Sequence, residues 1–109
     1  MIASRILTLT LPTGTVEVPI RIYAPEFSGT SWSCRYETDW PEGRRTMSSR
    51  GFDAVQALLM AMQMIAADIY ASNYHAAGQL HFQPDWEGYG FPVTGMMRDM
   101  LIGDDRKYL

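Results

Sequence analysis

Two histidines, His75 and His81, stand six residues apart and are followed by Asp85 and Glu87. A histidine with carboxylates is the smallest set that can hold a metal or run acid/base chemistry. Such a set would make a small hydrolase or a ligand-binding enzyme, using His75 or His81 with Asp85 or Glu87. A gap of six across an expected helix end is not a metal-ligand spacing, however. The simpler reading of His75 is a helix-end residue bonding the last carbonyls, where positive charge is favoured. The single cysteine, Cys34, is a nucleophile only beside a base. It shares a strand face with Trp32, Tyr36 and Trp40, which predicts a buried and inert thiol. Arg44, Arg45 and Arg50 flank a turn near Trp40, and guanidinium groups beside an aromatic ring can hold a phosphate or an unpaired base. The alternative is a solvated hairpin tip with Glu42 as ion-pair partner. Gly88-Tyr89-Gly90 has two glycines of a phosphate loop, but lacks the third and does not lie between a strand and a capped helix. Tight packing of an aromatic loop accounts for it better. No complete catalytic set emerges, and neither cofactor nor metal is expected.

The elements that must position these residues belong to one domain spanning 1–109, because 109 residues and 12.3 kDa leave no room for a second. Apolar residues at 47% against charged residues at 19% exclude a disordered chain. Residues 1–50 carry six Arg and five acids, net +1; residues 51–109 carry three bases and seven acids, net −4, which sums to −3. With a pI near 5.2 and one lysine, Lys107, a nucleic-acid partner is not expected. No apolar run approaches the roughly 18 residues of a membrane span, and residues Met1 to Leu11 alternate instead of forming a signal-peptide core, so the expected location is the cytoplasm.

Alternation with period two predicts strands in the first half. Leu7, Leu9 and Leu11 alternate with Thr8 and Thr10, and Pro12-Thr13-Gly14 turns the chain into Val16, Val18, Ile20 and Ile22. Pro19 in the second strand predicts an edge position or a bulge. A third strand places Trp32, Cys34, Tyr36, Thr38 and Trp40 on one face, and a weaker fourth runs from Arg45 to Arg50. From Asp53 the period becomes helical, with Asp53 and Gln56 in a capping-box arrangement, and the helix is expected to end near Asn73, or at the latest before Gly78. Val55, Leu58, Leu59, Met62, Ile65, Ala66, Ile69 and Tyr70 form its expected sheet-facing half. Leu80-His81-Phe82 suits a short strand, and Gln83 to Val93 an ordered loop held by aromatics. Met96, Met97, Met100, Leu101 and Ile102 predict a short terminal helix before a charged tail, Asp104 to Lys107. The expected fold is α+β: an antiparallel sheet of about four strands covered on one face by one long helix, with a short C-terminal helix.

The outer half of the long helix holds Met60, Met64, Gln56 and Gln63 and almost no charge. Burying a methionine contributes about 1.5–3 kcal/mol relative to exposure. That face is therefore read as an interaction surface closed by a homodimer, the alternative cover being the segment from Met96 to Ile102.

Trp32-x-Cys34-x-Tyr36-x-x-x-Trp40-Pro41-Glu42-Gly43-Arg44, Gly51-Phe52-Asp53-Ala54-Val55-Gln56-Ala57-Leu58, Tyr74-His75 and Gly88-Tyr89-Gly90-Phe91-Pro92-Val93 together resemble a family of short uncharacterised bacterial proteins grouped as a domain of unknown function. The resemblance covers about residues 32 to 93. It implies a small free-standing bacterial protein and carries no catalytic residue across. With no complete catalytic set, the leading expectation is a non-catalytic protein-interaction module, immunity- or adaptor-like.

Overall fold

The computed structural model describes residues 1–109 apart from the side chains of Met96 and Met97. The strands are β1 (Ala3–Leu11), β2 (Gly14–Ile22), β3 (Glu26–Phe27), β4 (Trp32–Trp40), β5 (Gly43–Gly51) and β6 (Leu80–His81); the helices are α1 (Ala54–Tyr70), α2 (Asn73–Ala76) and α3 (Gly103–Tyr108). All pairings are antiparallel, in the order β5-β4-β2-β1-β6, with β3 continuing the line of β2 along β4. The sheet thus has six strands instead of four. The two additions are pairs of residues, too short to show a period: β3 was not foreseen, and β6 is the short strand expected at Leu80.

The four long strands follow the alternation. Leu7, Leu9, Val18, Ile20, Cys34 and Tyr36 are fully buried in one core cluster with the inner residues of α1. β2 proves to be an interior strand, despite Pro19. Its pairing with β4 begins only at Ile20↔Thr38, so Pro19 lies one residue outside it and the missing N–H leaves no bond unmade on that side.

α1 begins as its residues dictate. Asp53 accepts the Gln56 amide (2.7 Å), and the Gln56 side chain accepts the Phe52 amide (2.6 Å), closing a reciprocal cap. Its end differs from expectation. The helix stops at Tyr70, because Ser72 is a strong N-cap and opens α2 by accepting the His75 amide (3.1 Å). Gly78, at φ +70°, then reverses the chain into β6. Among the described residues no helix is long and apolar enough to cross a membrane.

The buried face of α1 is rotated from the one its largest side chains define. Ala57, Ala61, Ile65 and Ile69 are buried, whereas Val55 and Leu59 are exposed. Helical spacing alone sets Val55 and Leu59 on the sheet-facing half, which the structure reverses. The reason is close approach. β5 ends in Ser49 and Gly51, and the Ser49 hydroxyl donates to the Ala57 carbonyl (2.5 Å), so the helix backbone lies almost on the strand. Only small residues fit there. Toward the C-terminal end Ala66 and Tyr70 are also buried, with Tyr89 set edge-on against Tyr70 (5.4 Å).

The C-terminus also differs. A 3-10 turn at Gly95–Met100 replaces the expected helix, and the expected charged tail is itself helical, as α3. Asp104 and Asp105 in its first turn and Arg106 and Lys107 in its last both complement the helix dipole.

A Cβ at Gly51 would sit 2.6 Å from the Ala57 backbone nitrogen. Gly51→Ala is therefore expected to destabilise the fold by about 1–3 kcal/mol, read as a lower urea midpoint at unchanged slope. An unchanged midpoint would show that α1 lifts freely off β5.

Candidate functional site

The most elaborate polar arrangement is built around a residue that the sequence did not single out. Asp105 is fully buried. Gly88 at φ +106° and Gly90 at φ +76° bend the chain so that the Tyr89 and Gly90 amides both donate to its carboxylate (2.7 Å each). The Trp86 indole and the Tyr70 hydroxyl donate as well, again at 2.7 Å. Glycine is required at 88, since a Cβ there would lie 2.4 Å from the Asp105 carboxyl carbon. Beside the loop, Arg5 is held between the rings of Phe82 (4.3 Å) and Phe91 (4.7 Å) and donates to the Tyr89 carbonyl (2.9 Å). Burial lowers the Arg5 pKa, and the charge of Asp105 opposes that shift. Burial, then the same charge, pushes the Tyr89 hydroxyl up to about 12. Gly88-Tyr89-Gly90 is thus a tightly packed aromatic loop, as expected, and also an anion cradle, filled by the protein's own carboxylate.

His75 belongs to this cluster and not to a metal site. Its Nδ1 shares a hydrogen bond with the Tyr89 hydroxyl (2.5 Å), and its ring lies edge-on to Tyr70 (4.7 Å). Burial lowers its pKa. His81 lies elsewhere, so the structure does not bring the two histidines into one site. His81 does meet carboxylates: Asp85, Glu87 and Asp104 join it, with Thr8 and Trp86, around a surface cavity of about 650 Å³ at the β1–β6 edge. His81, Asp85 and Glu87 are exposed. Among the described residues no side chain hydrogen-bonds His81, and no three of His, Cys, Asp or Glu are grouped to hold a metal.

At the β4–β5 hairpin tip, Trp40, Glu42, Arg44, Arg45, Asp68 and Tyr74 line an open cavity of about 840 Å³. Trp40 stacks on Tyr74 (5.6 Å). Strand parity separates the arginines. Arg44 binds Asp39 (2.8 Å) on one side of the sheet, and Arg45 binds Asp68 (3.2 Å) on the other, where Asp68 also accepts the Tyr36 hydroxyl (2.7 Å). Glu42, expected to pair with an arginine, instead accepts from Tyr74 (2.7 Å) and raises its pKa. Arg50 lies at the far end of β5. Each guanidinium at the tip is already matched by a carboxylate.

The remaining feature is apolar. Phe52 is 94% exposed and Val55 75%, with Leu59 and Met60 about two-fifths exposed beside them. Met60 and Phe52 border a shallow cavity of about 280 Å³ with Gln56 and Arg50. The exposed Phe27 extends the surface, since it pairs with Trp32 and Trp32 with Gly51. Of the four residues expected on this surface, Met60 and Gln56 are exposed, with the Gln56 side chain committed to the helix cap. Gln63 is half-buried, and Met64 is half-buried against the core. Cover from Met96 and Met97 lies outside the described residues.

Cys34 is buried, with its thiol directed at the Tyr23 carbonyl (3.3 Å) and its pKa raised by burial.

The family model described as a domain of unknown function (DUF6968) matches residues 3–93, and the chain belongs to that family. Neither the curated proteins nor the solved structures offer a match.

Two outcomes follow from the buried titratable groups. Cys34 should react slowly with a thiol reagent in the native state and fast in denaturant, and rapid native labelling would contradict its burial. The folded pKa of His75 lies below its ordinary value of about 6.5, so below that pH the unfolded chain binds the proton first. Stability should therefore fall as pH drops through and below about 6.5, and His75→Gln should flatten that part of the profile in urea titrations.

Proposed function

We propose that the chain is a non-catalytic protein-interaction module that pairs with a second copy of itself through the apolar first half of α1. The observation that carries the reading is the cluster of Phe52, Val55, Leu59 and Met60 on one side of the helix, with Phe52 94% exposed. Burying each such side chain contributes about 1.5–3 kcal/mol relative to exposure, and a contiguous apolar surface of this kind marks a contact site. The rim supports a second copy as the occupant. Arg50 on one side of Phe52 and Asp53 on the other are exposed and of opposite sign, and Arg50 has no ion-pair partner among the described residues. A two-fold arrangement that sets Arg50 of one copy against Asp53 of the other would make the surface self-complementary.

A second reading is favoured by the cavity that gathers His81 with Asp85 and Glu87: a small hydrolase working at the β1–β6 edge. In that case His81 is the general base, and turnover of an ester substrate would be lost on His81→Ala.

Light scattering at tens of micromolar tests the pairing. The pairing reading expects twice the 12.3 kDa chain mass for the wild type, and a monomer with the same circular dichroism for Phe52→Glu combined with Val55→Glu. Both positions are exposed within the single chain, so apart from the association energy that pairing supplies, the unfolding free energy should move by no more than about 0.5 kcal/mol for each. A monomeric wild type at that concentration rejects the pairing.

A further inference from the structure

The cradle around Asp105 has the make-up of a ligand site. We infer that the Tyr70 hydroxyl, the Trp86 indole and the Tyr89 and Gly90 amides, backed by Arg5, form a carboxylate-binding site, which the chain fills with its own Asp105 and which accepts a carboxylate from elsewhere when the C-terminal segment lifts off.

Three observations carry this. First, the loop that carries three of the four donors is set largely by elements outside the segment that supplies the anion, which adds an Asp104 carboxylate on the Glu87 amide (2.8 Å), an Ile102 amide on the Tyr70 hydroxyl (3.5 Å) and the Tyr108 ring beside Trp86 (5.7 Å). The backbone of the loop is set by its positive-φ glycines, by the Arg5 bond to the Tyr89 carbonyl, and by the stacking of Arg5 between Phe82 and Phe91. Tyr70 comes from the interior face of α1. All four donors converge on one carboxylate at 2.7 Å, and they serve both of its oxygens. Such a set recognises a carboxylate as such, whichever chain bears it.

Second, the segment is held by polar bonds more than by apolar burial: besides the four to Asp105, the Asp104 carboxylate accepts the Glu87 amide and the Asp104 amide donates to the Glu87 carbonyl (2.8 Å each). Among the described side chains from residue 94 to the C-terminus, only Leu101 and Asp105 are buried; Asp104 and Leu109 are half-buried, and the others are exposed. With few buried apolar contacts, opening is governed by those polar bonds, and the four to Asp105 are the ones a competing carboxylate replaces. Once α3 departs, four buried donors and a buried guanidinium are left without their anion, and a replacement carboxylate relieves that cost.

Third, receptor and ligand fall on different sides of the family boundary. Arg5, Tyr70, Trp86, Tyr89 and Gly90 lie within the matched residues 3–93, and Asp105 lies outside them.

Two sources of carboxylate fit: a free small carboxylate, or the C-terminal segment of a second copy. The test uses the full-length chain carrying Asp105→Ala, with acetate and a synthetic peptide of residues 98–109 as probes. Acetate should raise the unfolding temperature of the variant with the logarithm of its concentration, by about 4–8 °C once it exceeds its dissociation constant several-fold. It should leave the wild type unmoved, as should chloride at equal ionic strength for both proteins. Adding Trp86→Phe to the variant should weaken the acetate response about fivefold, because one of four donors is gone. The peptide should bind the variant at least ten times more tightly than the same peptide carrying Asp105→Asn. A response to acetate alone assigns the site to small carboxylates, and a tighter response to the peptide assigns it to a second copy's segment. Should Asp105→Ala fail to fold, recovery of the native circular dichroism by either probe supports the inference, and no recovery overturns it. A folded variant that answers neither probe overturns it too, as does an acetate effect that survives Trp86→Phe undiminished.

Discussion

A carboxylate taken from water into a protein interior is tolerated only where donors replace its hydration, and around Asp105 four of them do. The groups that meet there come from parts of the chain that share little else. Tyr70 closes the long helix, Trp86, Tyr89 and Gly90 belong to the loop after β6, and Asp105 belongs to α3. Arg5, from β1, ties the same loop to the sheet through the Tyr89 carbonyl. The glycines at 88 and 90, the pair of phenylalanines around Arg5 and the inward turn of the Tyr70 ring all answer to this one demand. The cluster extends to His75, whose ring takes up the far side of Tyr89 and loses basicity in doing so.

A second constraint, the close seat of α1 on β5, decides what the molecule shows to the outside. Ser49 and Gly51 bring the helix backbone so near the strand that only Ala57 and Ala61 can lie between. Turning that narrow face inward turns Val55 and Leu59 outward, beside the capping turn that already exposes Phe52. The apolar surface assigned to self-pairing is thus a direct consequence of small-residue packing on the other side of the same helix.

The arginines of the first half serve the sheet. On the face away from α1, Arg21 and Arg44 converge on Asp39 at 2.6 and 2.8 Å, and Arg35 lies over the Tyr23 ring at 3.7 Å. The Tyr23 hydroxyl donates to the buried Glu37, and that bond, with the nearby arginines, holds the Glu37 carboxyl below its ordinary range. Partly exposed pairs of this kind contribute little singly, and their effect is to fill an uncovered sheet face with mutually satisfied charge. This is why a group of arginines near a tryptophan, suggestive of phosphate binding in one dimension, presents no uncompensated cation at the hairpin tip.

Residue order by itself determined the long strands, the β4–β5 hairpin, the start of α1 at Asp53, the buried parity of Cys34 and the α+β class, because each depends on periodicity or on contacts within four residues. The same local reasoning found β6, and gave no sign of β3, which exists only because β4 has a free stretch of edge beside Glu26 and Phe27. It set the helix face by counting large side chains, which cannot register that a strand ending in Ser49 and Gly51 admits alanine and excludes leucine. Gly88 and Gly90 were legible as special backbone positions, but the anion they cradle sits fifteen or more residues along, in a tail that reads as four solvated charges. Which of those charges is buried was decided by the tertiary structure alone, since burial of a carboxylate depends on donors converging from Tyr70, Trp86, Tyr89 and Gly90, and no spacing along the chain encodes that convergence.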